Sequence, residues 1–237
     1  MKYGQIAGSS SINAFIYRCF AYICQEDKQK FVKRFREQFP DSDEIMHTFR
    51  ELVLGAYLCS RGFKARYEYP INSRTPDWSI LDNDLRPNAI VELTNFHVDK
   101  LTEIKIEEQL RANGLACVWR DANKNNVDRL YYSIRHKAQA YRDLIQELKV
   151  PYIVAVFGEF RAAVDEEEIH ICLFDRESGL FAMYPEVSGV LYFEEKSGRY
   201  LFRYIHNPTA QFDLLSGVFP SDAAYPLAPD DSNSLPR

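Results

Sequence analysis

The chain has 237 residues, 29 basic against 34 acidic for a net charge of −5, with 46% apolar and 27% charged positions. That length allows one large domain or two small ones, and 15 Tyr, 16 Phe and 2 Trp argue against disorder. No run approaches the roughly 18 apolar residues of a membrane span, Met1-Lys2-Tyr3-Gly4-Gln5 lacks the pattern of a secretory leader, and the acidic balance speaks against a generally basic nucleic-acid binder.

Cys19, Cys24, Cys59, Cys117 and Cys172 form no CxxC and have no nearby His pair. Neither a zinc site nor a disulfide framework is expected, and a reducing cytoplasmic compartment fits best. The charge is uneven. Residues 1–40 carry +4, from Lys2, Arg18, Lys28, Lys30, Lys33, Arg34 and Arg36 against Glu26, Asp27 and Glu37, and the remainder carries −9. The basic stretch 28–36 and the acidic run Asp165-Glu166-Glu167-Glu168 read equally well as solvated surface or as functional clusters.

Ser9-Ser10-Ser11 can cap a helix whose apolar stripe is Ile12, Phe15, Ile16, Cys19, Phe20, Ile23 and Cys24. Phe31, Val32, Phe35 and Phe39 continue it up to Pro40, as one bent helix or two short ones. Asp41-Ser42 caps a third helix with Ile45, Phe49, Leu52, Val53, Ala56 and Cys59 inward, and Gly62 follows at its C′ position. The period then changes to two, giving strands at Phe63–Tyr69, Pro76–Leu81 and Ala89–Phe96 with turn residues between them. Helices follow at about 101–111 and 127–148, separated by a polar stretch at 121–126. The continuous apolar run 152–157 marks a central strand covered on both faces. Further strands are expected at 169–174, 189–194 and 200–205, and a tail rich in Pro, Asp and Ser from Pro220 is expected to fray. The whole is an α/β or α+β domain with a mixed sheet: residues 1–40 form a helical extension, 41–219 the main domain and 220–237 a flexible tail.

Glu92 lies inside the apolar strand Ile90-Val91-Glu92-Leu93-Thr94, fifteen positions after Asp77 in Thr75-Pro76-Asp77-Trp78. A carboxylate there is unfavourable to bury unless it is paired or binds a cation. If the two strands form a hairpin, Asp77 and Glu92 meet at one edge. Two hard oxygen donors beside water suit Mg²⁺ or Mn²⁺, an ion that polarises a phosphoryl oxygen and acidifies water.

Pro76-Asp77 and Glu92-Leu93-Thr94, with Glu51 on the preceding helix and Lys137, Gln139 and Tyr141 on the following one, resemble the PD-(D/E)XK nuclease superfamily. The element order over about 42–160 is similar to the αβββαβ core of its restriction-endonuclease-like fold, while Ser188-Gly189-Val190 and Asn207-Pro208-Thr209-Ala210 resemble uncharacterised bacterial members. The resemblance implies Asp77, Glu92 and the Leu93 carbonyl as metal ligands and Glu51 as a support acting through water. The family's lysine two positions after the glutamate is here Thr94. Members that lack it draw a lysine from a neighbouring helix, and Lys137 sharing a face with Ile134 and Tyr141 is the candidate. Gln139 would hydrogen-bond the site or the substrate backbone.

The five histidines, His97 included, form no ligand pair, and neither GxSxG, GxGxxG nor a Walker A loop is present. The expectation is a metal-dependent nuclease acting on nucleic acid, DNA before RNA, without a membrane partner. The alternative is a nuclease-fold module that binds nucleic acid or protein without cutting. The resemblance also allows a homodimer.

Overall fold

The computed structural model describes residues 10–98, 100–114, 126–159, 162, 164–196, 199–214, 219 and 222–226. Helices α1 (Ser10–Tyr22), α2 (Gln25–Glu37) and α3 (Ser42–Ser60) come first. They are followed by β1 (Lys64–Tyr67), β2 (Trp78–Leu81), β3 (Pro87–Phe96), α4 (Lys100–Asn113), α5 (Asn126–Leu148) and β4 (Tyr152–Gly158). Helices α6 (Glu166–Phe174) and α7 (Leu180–Met183), then β5 (Gly189–Lys196), β6 (Arg199–His206) and β7 (Asp222–Pro226), complete the chain.

The seven strands pair in sequence order in one mixed sheet. β3, β4 and β5 run parallel at its centre, and antiparallel hairpins flank them on both sides. The parallel pairs need crossovers, which α4–α5 and α6–α7 supply. Alternation splits the central side chains between two cores. Val91, Leu93, Ile153, Ala155 and Leu191 pack with Phe15, Phe31, Phe49 and Leu52 from α1–α3, whereas Ile90, Tyr152, Val154, Val156 and Val190 pack with Leu130, Ile134, Ala138, Leu173 and Phe181 from α5–α7. All seven residues of β4 are buried, as its unbroken apolar run requires.

Local signals set several boundaries. Asp41 caps α3 by accepting from the Asp43 and Glu44 amides, and Gly62 ends it at φ 87°. Glu68, in the left-handed region at φ 44°, stops β1 at Tyr67, two residues before the alternation ends at Tyr69. Gly55 lets Trp78 lie on α3: a Cβ there would stand 1.8 Å from the indole.

The expected strand at 169–174 is instead α6. Asp165 accepts from the Glu168 amide while the Glu168 carboxylate returns to the Asp165 amide, a capping box. Ile169, Cys172 and Leu173 turn inward at helical spacing. The acidic run is therefore the cap and first turn of a helix, where negative charge is favoured. Residues 222–226, which composition placed in the fraying tail, form the strand β7 on β6. Of the polar stretch 121–126, all but Asn126 lies outside the described residues. Ser188 and Asn207 are structural: the Ser188 hydroxyl accepts from the Tyr152 amide, and the Asn207 amide group donates to the Val187 carbonyl.

Candidate metal and nuclease site

The antiparallel register sets Trp78 opposite Val91, which brings Asp77 beside Glu92. The two are tied reciprocally through the backbone. The Asp77 amide donates to Glu92 Oε1 at 2.8 Å, and the Leu93 amide donates to Asp77 Oδ2 at 2.7 Å. Glu92 is 2% exposed and lies on the β3 face that looks at α5. From that helix Lys137 reaches over, with Nζ 2.8 Å from Glu92 Oε2 and 3.5 Å from Asp77 Oδ2. Three of the expected site residues thus converge.

Two carboxylates against one ammonium leave a net negative site. Burial raises both acids, Asp77 adds its repulsion to push Glu92 up to about 7, and Lys137 opposes the shift in each case. Lys137, whose own burial would lower it, is held above its ordinary value by Asp77 and Glu92, so it stays an ammonium. Tyr141, one turn beyond Lys137, is raised by burial and then by Glu92, and its hydroxyl donates to the Thr75 carbonyl at 3.4 Å. Its phenol remains a neutral donor at the rim.

Glu51 is placed differently. It is 1% exposed on α3, against the opposite face of the sheet, and among the described residues no hydrogen bond or ion pair joins it to Asp77 or Glu92. Tyr67 donates to Oε2 at 2.6 Å, Arg34 lies 3.4 Å from the same oxygen, and His47 Nε2 is 3.3 Å from Oε1. Asn95 donates to His47 Nδ1, which leaves Nε2–H toward the carboxylate. Burial alone would raise Glu51, but these donors more than offset it and its pKa is lowered. Its charge reaches Asp77 through space and adds to the upward shift there. The Trp78 indole N–H, donating to the Glu51 carbonyl at 3.0 Å, links the two clusters mechanically.

The remaining expected residues scatter. Thr94 is half-buried two positions beyond Glu92, with no side-chain hydrogen bond among the described residues. The Leu93 side chain belongs to the α1–α3 core. Gln139 is exposed and donates to the Tyr184 hydroxyl at 3.3 Å, because two positions along a helix turn it away from Lys137. His97 lies between Arg50 and Glu159. Sequence reasoning overlooked Arg34, His47, Tyr67 and Asn95. The i, i+4 spacing of His47 and Glu51 was the one local sign, since the others meet Glu51 only through tertiary packing.

Among the described residues no three His, Cys, Asp or Glu side chains are arranged to hold a metal ion. The donor set of Asp77 and Glu92, hard oxygens with unbalanced negative charge, nevertheless fits Mg²⁺, which keeps several waters and uses one or two carboxylates. No family model, curated protein or solved structure matches the chain. No helix among the described residues is long and apolar enough to cross a membrane.

Proposed function

We propose that the protein is a metal-dependent nuclease with a restriction-endonuclease-like core spanning α3 to β4. The observation that carries the reading is the pair of buried Glu92 and half-buried Asp77, locked by two backbone hydrogen bonds and facing a single lysine. Asp77 and Glu92 would hold Mg²⁺ or Mn²⁺, with the Leu93 carbonyl as a further ligand. The bound ion supplies Lewis acidity at a phosphoryl oxygen and acidifies water. Lys137 does what the missing family lysine does: a protonated ammonium held among carboxylates offsets negative charge as it develops on the phosphate. Tyr141 offers a neutral hydroxyl to orient water or a phosphate oxygen. Glu51, saturated by its own donors, acts on the site through its field and through Trp78. DNA is the first substrate to test. Purified protein with Mg²⁺ or Mn²⁺ should cut it, and Asp77→Ala or Glu92→Ala should abolish cutting. Variants that cut as well as the parent would falsify the assignment.

The second reading, a module of the same fold that binds without cutting, draws on Thr94. Calorimetry separates the two: millimolar Mn²⁺ that gives no heat with the parent protein favours the non-cutting module.

A further inference from the structure

Helix α2 divides its charges between two faces. Asp27, Lys30 and Arg34 point to the fold: Asp27 accepts from the Tyr67 amide and Arg66, Lys30 donates to the Tyr67 and Glu68 carbonyls, and Arg34 meets Glu51 and Glu68. These contacts close the edge of β1 against stray pairing. The basic stretch 28–36 therefore does not face solvent as one block. Its other cations, Lys28, Lys33 and Arg36, rim a groove of about 620 Å³ between α1 and α2, floored by Phe20 and Val32. Glu37 is the one acidic group in that lining, 3.7 Å from Lys33, which leaves the groove at +2 on a chain of −5.

We infer that this groove binds a single nucleic-acid strand, phosphates on the basic rim and a base against the apolar floor. This deepens the nuclease reading and rests on it for its purpose. Positive charge in a track with an apolar or aromatic base is the chemistry of unpaired strands, and the charge sign excludes an acidic lining's usual partners. The groove lies on the face of α2 turned away from Arg34 and its partner Glu51.

The test reads binding with cutting switched off. Fluorescence anisotropy of a labelled single-stranded DNA oligonucleotide is followed against salt, in EDTA, with the full chain. Lys28→Glu/Lys33→Glu/Arg36→Glu should weaken binding at least about tenfold and lower the slope of log K against log salt by about 2, near 0.7 for each lost phosphate contact. The neutral triple Lys28→Gln/Lys33→Gln/Arg36→Gln should show a smaller loss in the same direction, with an unchanged melting curve. Lys105→Glu/Arg111→Glu, exposed cations on α4, should bind as the parent does. The inference is overturned by a parent that ignores the strand, by triples that bind normally, by a control that loses as much, or by a duplex bound more tightly than the strand. Because the measurement needs no metal, a failed nuclease reading leaves it readable. Conversely, metal-dependent cutting with an unchanged KM in the triples would sink the groove and spare the nuclease.

Discussion

Two acidic clusters, one around buried Glu51 and one around buried Glu92, sit on opposite faces of one sheet, and they are balanced differently. On the α3 face, Glu51 receives Tyr67, His47 and Arg34 and titrates below its ordinary range. On the α5 face, Asp77 and Glu92 share Lys137, and Glu92 is pushed up to about 7. Carboxylates in the first cluster are satisfied by the fold. Those in the second are held in place by backbone amides but left short of positive charge. A site meant for an external cation has the second character, and a structural ion pair the first.

Removing Lys137 should sharpen that contrast most. Lys137→Met leaves buried Glu92 and half-buried Asp77 without their ammonium, and in EDTA it should cost about 3 kcal/mol of unfolding free energy in denaturant titration. Millimolar Mg²⁺ should recover part of the loss, whereas cleavage should fall by about 10²–10³ even with metal. A variant as stable as the parent and equally active would erase the distinction between the clusters.

The pH dependence comes next, and the two clusters have opposite signs. Glu92 has a folded pKa above its ordinary value near 4.5. The unfolded chain therefore ionises first, and stability is lost as pH rises from about 4.5 to 7, by about 3 kcal/mol at most. Glu51 has a folded pKa below the ordinary value. It contributes stability above that value and loses it as pH falls through the lowered one. Glu92→Gln should accordingly gain on the parent between pH 4.5 and 7.5 in metal-free melts, while Glu51→Gln gains on it only at more acidic pH. Added Mg²⁺ should raise the parent's Tm more at pH 8 than at pH 5, and Asp77→Asn should remove that response.

The legible part of this arrangement was local. Alternation in Ile90–Thr94 fixed the face of Glu92, the proline before Asp77 marked the strand entry, and the helical spacing of Ile134, Lys137 and Tyr141 put the lysine on the inward face. Each depends on residues within one element. What escaped was tertiary: Arg34 comes from the N-terminal extension and Tyr67 from the edge strand, and no spacing relates either to Glu51. The apolar run 169–174 misled because a short buried segment has no diagnostic period, and the capping box four residues earlier was the stronger signal. The basic stretch 28–36 left two readings open, and the structure divides it between faces, with Lys30 and Arg34 turned to the fold.

Gly55 tests whether the clusters are coupled through Trp78. Gly55→Ala puts a methyl into the indole, which should cost about 1–3 kcal/mol from overpacking. It should also displace the residue that donates to the Glu51 carbonyl and follows Asp77 directly. If the link matters, Mg²⁺ affinity falls along with stability; if affinity is kept while stability drops, the clusters are merely neighbours.

His47 gives the smallest effect and the finest discrimination. His47→Ala removes one donor from Glu51, which keeps Tyr67 and Arg34, so the stability cost should be about 1 kcal/mol, the net worth of a single hydrogen bond. The lost influence of the imidazole on Asp77 is small beside that of Lys137. Metal affinity measured by calorimetry should therefore stay within about threefold of the parent, since a through-space term near a surface is worth well under 1 kcal/mol. An affinity loss as large as that of Asp77→Asn would instead place Glu51 and its donors inside the ion's own coordination, and the two clusters would have to be read as one.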